Sequence, residues 1–171
     1  VKITTKQLTF SAVFAALIFV TTAYLFHIPT GFNGGYVHLG DAFIYLAASF
    51  LPTPLACIAS AVGAGLADAL TGAYIWIIPT MIIKPLMAAP FSCKGPKILS
   101  KRNLLMAVVG GVICTIGYYL ADVVLVGNWI APLAGILTGL TQPVGSLVLY
   151  YVVGFALDRV GFKSKMNLAK I

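Results

Sequence analysis

The sequence predicts an all-α polytopic membrane protein: one compact bundle of six transmembrane helices, residues 1–171 forming a single domain, with both termini cytoplasmic. Three observations predict it. Of the 171 residues, 60% are hydrophobic and only 9% charged, at a mean hydropathy of +1.01, whereas a soluble domain of this size carries roughly 25% charged residues. Apolar runs long enough to cross hydrocarbon recur along the chain, divided by proline, glycine and polar residues. The basic residues cluster at alternate connections, the signature of positive-inside orientation.

Taken in order, the first helix covers about Lys6 to Phe26, about twenty residues, which suffices for a span at 1.5 Å per residue. No cleavable signal peptide is expected, because no small-residue cleavage pattern follows this run. The second helix covers about His38 to Leu51 and stops at Pro52-Thr53-Pro54. At about fourteen residues it is short for a span, and a re-entrant segment is an alternative. The third covers about Pro54 to Leu70 and the fourth about Tyr74 to Ser92, with Pro79, Pro85 and Pro90 in or near it. The fifth covers about Asn103 to Val126. The sixth runs from near Pro132 to about Leu157, with Pro143 in its interior.

Threaded from a cytoplasmic N-terminus, these spans put the loop carrying Lys94, Lys97, Lys101 and Arg102 in the cytoplasm, with the tail carrying Arg159, Lys163, Lys165 and Lys170. The connections 27–37, 71–73 and 127–131 lack Lys, Arg, Asp and Glu and fall outside. The net charge of +7 is thereby explained by topology, and nucleic-acid binding is excluded for want of a basic groove with interleaved aromatics. Cys57, Cys93 and Cys114 are unspaced and read as small buried hydrophobes. Two histidines without ligand spacing make no metal site, and no phosphate loop, zinc-protease motif or activated serine is present. No enzyme activity and no cofactor are expected.

Several residues depart from plain lipid-facing helix. Helix one carries Ala12 and Ala16 one turn apart, beside Ser11 and Ala15; packing within the bundle and docking of another subunit both account for this small edge. Helix three carries Ala56, Ala59, Ser60, Gly63, Ala64 and Ala67, a stripe assigned to internal packing. Asp41, Asp68 and Asp122 each lie about one turn in from the outer end of a helix, and Lys84 lies deeper. An unpaired charge at the bilayer centre costs about 2.5–3.5 kcal/mol, so these groups must face the interior and find partners. Lys84 with Asp41 or with Asp68 is the expected ion pair, and three carboxylates against one lysine leave an excess of acceptors for a ligand. Trp76, Thr80 and Lys84 share one face of helix four; Tyr118 and Asp122 share one of helix five; Thr138, Gln142 and Ser146 share one of helix six. His38 stands one turn before Asp41, which is placed to accept from its ring. Tyr24, Tyr36, Tyr74, Trp76 and Trp129 fall at outer helix ends, where aromatic belts form.

Six short spans in under two hundred residues resemble the substrate-binding (S) components of energy-coupling factor (ECF) vitamin transporters. The Ala12/Ala16 pair looks like the motif by which such components dock on the shared transmembrane (T) component. The runs from Gly35 to Asp41, from Gly65 to Gly72 and from Ile82 to Pro85 look like the subfamily of carriers of pyridoxine or hydroxymethylpyrimidine. The resemblance implies a subunit that captures a vitamin at the outer face and works with a T component and two ATPase subunits, since the chain has no nucleotide motif of its own. It places the site at the outer ends of helices four to six, under the first outer loop. A flat nitrogenous ring would take aromatic faces from Trp76, Tyr118 or Trp129 and polar partners from Asn33, Asp41, Asp68, Lys84, Asp122 and Gln142, with Lys84 and Asp68 foremost. Tyr36, His38 and Thr80 complete the candidate site. Within 31–41, the segment Asn33 to Val37 reads as a lid and His38 with Asp41 as a fixed acidic rim. Riboflavin or another thiamine precursor is the alternative ligand, and a small self-sufficient carrier the alternative outside the class, although no inverted repeat is evident.

Overall fold

The computed structural model describes residues 3–25, 27–29, 36–166 and 168, without the side chain of Thr138. Asn33 and the glycines at 31, 34 and 35 lie outside the described residues, and with them most of the expected lid. Helix α1 (Thr5–Ala23) begins in a capping box: the Thr4 hydroxyl accepts from the Gln7 N–H and the Gln7 side chain accepts from the Thr4 N–H. It ends three residues earlier than Phe26. The chain then forms a two-residue antiparallel pair, β1 (Ile28–Pro29) with β2 (Tyr36–Val37), in the register Ile28 opposite Val37. This small β element was not part of the all-α expectation. It marks one end of the bundle, here the hairpin end.

Helix α2 (Asp41–Phe50) is only 10 residues, about 15 Å of rise, and cannot cross a 30 Å hydrocarbon core unaided. Every residue except Phe43 is buried in the protein. It is thus a central strut, enclosed by α1, α3, α4 and α7, and its run of apolar residues serves protein packing rather than lipid. Tyr45 stacks on Phe91 at 5.3 Å between ring centres and meets the edge of Tyr150 at 5.7 Å. The helix starts at Asp41, so His38 belongs to the preceding connection, contrary to expectation.

Helix α3 (Thr53–Leu70) packs chiefly against α1 and α4. Its small residues are what allow this: a Cβ on Gly63 would stand 2.5 Å from the Ala15 carbonyl oxygen, and one on Gly65 2.8 Å from Met81 Cγ. The stripe is internal packing, as expected. On α1 the edge facing α3 carries the buried Ser11, Phe14 and Ile18, whereas Ala12 and Ala16 are exposed on another side.

A 3₁₀ turn, Tyr74–Trp76, leads into α4 (Ile77–Ala88), where Pro79 occupies the first turn, a place needing no N–H donor. The helix stops before Pro90 instead of reaching Ser92. Helix α5 (Lys101–Val126) is capped by Ser100, whose hydroxyl accepts from the Asn103 N–H, and closed by Gly127 at φ +69°. The expected single sixth helix is broken. A 3₁₀ segment (Ala131–Gly135) and a four-residue α6 (Ile136–Gly139) precede α7 (Thr141–Arg159). Pro143 has no N–H to return to the Gly139 carbonyl, and glycines at 135 and 139 weaken what precedes it, so the regular helix starts at Thr141 with Pro143 in its first turn.

The opposite end is tied by polar bonds. Asp158, near the end of α7, accepts from the Ile98 and Leu99 N–H groups at 2.7 and 2.9 Å. Asn103, fully buried, donates to the Ser92 and Ile98 carbonyls and accepts from the Ser92 N–H. Lys163 of α8 (Phe162–Met166) donates to the Lys97 carbonyl, and Lys6 donates to the Met166 carbonyl at 2.6 Å. Both chain ends and the basic loop therefore meet at this basic end. Among the described residues three helices, α1, α3 and α5, are long and apolar enough to cross a membrane by length and composition.

Candidate functional site

A cleft opens at the hairpin end. Its walls are built from separate elements: Tyr36 and His38 from the connection into α2, Asp68 from α3, Trp76 and Thr80 from the start of α4, Tyr118 and Asp122 from α5, and Gln142 from α7. Gly135 and Gly139, on the broken segment before α7, complete it. A Cβ added at either glycine would meet nothing within 4 Å, so the break leaves open space beside the ring faces. Trp76 and Tyr118 have ring centres 5.7 Å apart, and Tyr36 stacks on His27 at 3.9 Å.

Polar groups in the walls are mostly committed to one another. The Tyr36 hydroxyl donates to Asp68 Oδ1 at 2.5 Å, tying the hairpin to α3. Thr80 and Tyr118 share a hydroxyl–hydroxyl bond of 2.8 Å across α4 and α5. Asp68 Oδ2 is buried and within hydrogen-bond distance of no donor among the described residues. Tyr119 donates to the Trp129 carbonyl at 2.8 Å, which turns its hydroxyl to the far end of α5.

Asp41 and Lys84 do not line the cleft. They are fully buried beneath it as an ion pair of 2.6 Å between Lys84 Nζ and Asp41 Oδ1. Asp41 Oδ2 accepts from Gln142 Nε2 at 2.8 Å and lies 3.6 Å from Cys114 Sγ. The ammonium also stands 3.8 Å from that sulfur and 5.0 Å from the centre of the Tyr118 ring. Placing the first residue of a buried strut opposite the middle of α4 is what selects Asp41 over Asp68 as the partner of Lys84. Lys84, first among the expected ligand contacts, is thus spent on its neighbours. His38 does not bond Asp41: its Nδ1 accepts from the Gly40 N–H at 3.0 Å and lies 3.5 Å from Thr22 Oγ1. The two-residue spacing to Gly40 closes a local turn that turns the ring away from the carboxylate.

Of the candidate residues, Tyr36, His38, Asp68, Trp76, Thr80, Tyr118, Asp122 and Gln142 converge on one cleft, Asp41 and Lys84 lie under it, and Asn33 is outside the described residues. Cys114 reads in the sequence as a plain buried hydrophobe, yet it touches both charges of the pair and lines the floor. Its signal was present: Cys114, Tyr118 and Asp122 are spaced i, i+4, i+8 on α5. The part played by Gly135 and Gly139 depends on a helix break that periodicity does not display.

Compared with known proteins, residues 2–159 match the family described as ECF-type riboflavin transporter, S component. No curated protein matches the chain.

Proposed function

The chain belongs to the family of S components of ECF-type riboflavin transporters, and from that premise we propose that it captures riboflavin in the hairpin-end cleft. As a member it is a multi-pass membrane protein and the substrate-binding subunit of a vitamin transporter that associates with an energy-coupling module; it is not an enzyme. The family supports riboflavin better than the pyridoxine-like ligand suggested by the sequence runs. The observation that carries the proposal is the form of the cleft, an aromatic pair from α4 and α5 beside two glycines that leave open space. Riboflavin is a flat three-ring system with a hydroxylated chain, and such a ring suits a cleft walled by aromatic faces with a few polar groups at its edge.

The topology belongs to the same proposal: six crossings, with the termini and basic loop cytoplasmic and the cleft outside. The bonds of Lys6 and Gln7 to the carbonyls of Met166 and Leu168 support it by holding both chain ends at one side. Partners are a T component, met at the exposed Ala12/Ala16 edge of α1, and two ATPase subunits. A pyridoxine-like or hydroxymethylpyrimidine-like ligand is the second reading. It is favoured by the way segments 36–41, 65–72 and 82–85 meet, through Tyr36 on Asp68 and Asp41 on Lys84.

Native mass spectrometry of protein purified from rich medium tests the proposal, with soaking in riboflavin, pyridoxine and hydroxymethylpyrimidine. Bound riboflavin is expected. Retention of only a small ring compound would establish the second reading, and a cleft that takes none of the three would overturn vitamin capture.

A further inference from the structure

The buried pair of Asp41 and Lys84 has a consequence for what the cleft can recognise. A carboxylate only accepts hydrogen bonds, so the Gln142 side chain must present its NH₂ group to Asp41, as the 2.8 Å bond from Nε2 to Oδ2 records. The same nitrogen lies 3.7 Å from Cys114 Sγ, which occupies the remaining amide proton. The amide is therefore held in one orientation with its donors turned down, and Gln142 Oε1 has no hydrogen-bond partner among the described residues. Gln142 is only 7% exposed, and what it shows is in the lining of the cleft. Lys84, the one buried cation there, points its donors at Asp41 and Cys114 and offers none to the cleft. Asp68 Oδ2, also buried and unpartnered, adds a second acceptor from α3.

We infer that the cleft is an acceptor face that reads a ligand N–H or O–H through Gln142 Oε1, and that Asp41, clamped by Lys84, is the positioning residue that sets the amide. The inference rests on the reading of the cleft as a riboflavin site. An N–H or O–H at this point completes the unpartnered Gln142 acceptor, whereas a carbonyl or phosphate oxygen set directly against Oε1 gains no hydrogen bond from it. The ring system of riboflavin carries one such donor, the imide N–H between its two carbonyls. A ligand lacking that proton leaves Gln142 unpaired in a desolvated site, where the penalty for a missing hydrogen bond is large.

The test is a flavin-fluorescence titration of the purified full chain with riboflavin and with N3-methylriboflavin, which lacks the imide proton. The wild type is expected to bind the methylated flavin roughly tenfold or more weakly. Gln142→Met, similar in length but without the acceptor, is expected to lose riboflavin affinity by a similar factor and to leave the methylated flavin unchanged, so that the preference disappears. The double variant Asp41→Asn/Lys84→Met removes both charges together, avoiding an uncompensated buried ion; it frees the amide to turn and is expected to relax the preference while riboflavin still binds. Equal affinities for the two flavins in the wild type would overturn the acceptor role. A preference undiminished in Gln142→Met would assign the methyl penalty to shape and overturn it too. A preference undiminished in the double variant would overturn the positioning role of Asp41. Failure of both flavins to bind the wild type would overturn the riboflavin reading itself, and the inference with it.

Discussion

His38 shows how a side chain's part is decided by what surrounds it. By type it could have been a ligand, a proton carrier or a partner of Asp41. In the connection before α2 it is only 4% exposed and accepts the Gly40 N–H on Nδ1, so the neutral ring carries its proton on Nε2. Burial lowers its pKa from 6.5 to about 3, with Asp41 raising it and Lys84 and His27 lowering it further. In the unfolded chain the ring titrates near its ordinary value. The stability it confers is complete above about pH 6.5 and is lost as the pH falls from there toward the folded value, by up to about 1.4 kcal/mol per pH unit. Thermal unfolding in detergent should therefore drop between pH 7.5 and 5.5. His38→Gln, which can still accept from Gly40, should flatten that slope; an unchanged slope would assign it to other groups. The choice between Asp41 and Asp68 for Lys84 was equally undecided along the chain. Residues 41 and 84 are joined only because α2 is enclosed, and Asp68 turns to Tyr36 instead.

At the scale of elements, helices end where local chemistry says they must. Thr4 with Gln7 opens α1, Ser100 opens α5, and Gly127 closes it; all three are written in adjacent residues. Spans set by tertiary contact are less legible. The apolar run of α2 cannot say whether protein or lipid covers it, and the break before α7 depends on Pro143 acting together with two glycines. Close approach is readable when small residues recur, as along α3. Gly63→Ala is expected to destabilise the protein by about 1–3 kcal/mol, because its Cβ would meet the Ala15 carbonyl, a backbone atom that cannot step aside. A lower melting temperature in detergent checks this, and an unaltered one would mean that α1 and α3 separate readily.

For the whole molecule, α1 has two unlike edges, one packed into the bundle and one left exposed. Ser11, Phe14 and Ile18 turn inward, while Ala12 and Ala16 form a smooth exposed strip. Replacing both alanines by tryptophan should abolish co-purification with the T component and vitamin uptake, yet leave ligand binding by the isolated chain intact, since neither residue lines the cleft. Loss of ligand binding as well would mean that the strip serves the bundle. A similar contrast runs along the long axis. The basic end is held by Asp158, Asn103 and Lys163, and the hairpin end carries the cleft, so the structural bonds of one lie apart from the cleft walls of the other.

Composition, charge placement and helical spacing alone determined that this is a membrane bundle with basic residues at one end and Asp41, Asp68 and Asp122 toward the other. These properties follow from solvent: lipid excludes charge, so the few ionisable groups must share an interior. Only the tertiary structure decided which of them line the cleft. Lys84 and Asp41 neutralise each other beneath the floor, while Gln142, Asp68 and the aromatic pair line the cleft. That choice depends on the rotation and depth of α2 and α7, set by packing across residues 101 positions apart, as in the bond between Asp41 and Gln142. No local pattern along the chain carries that information.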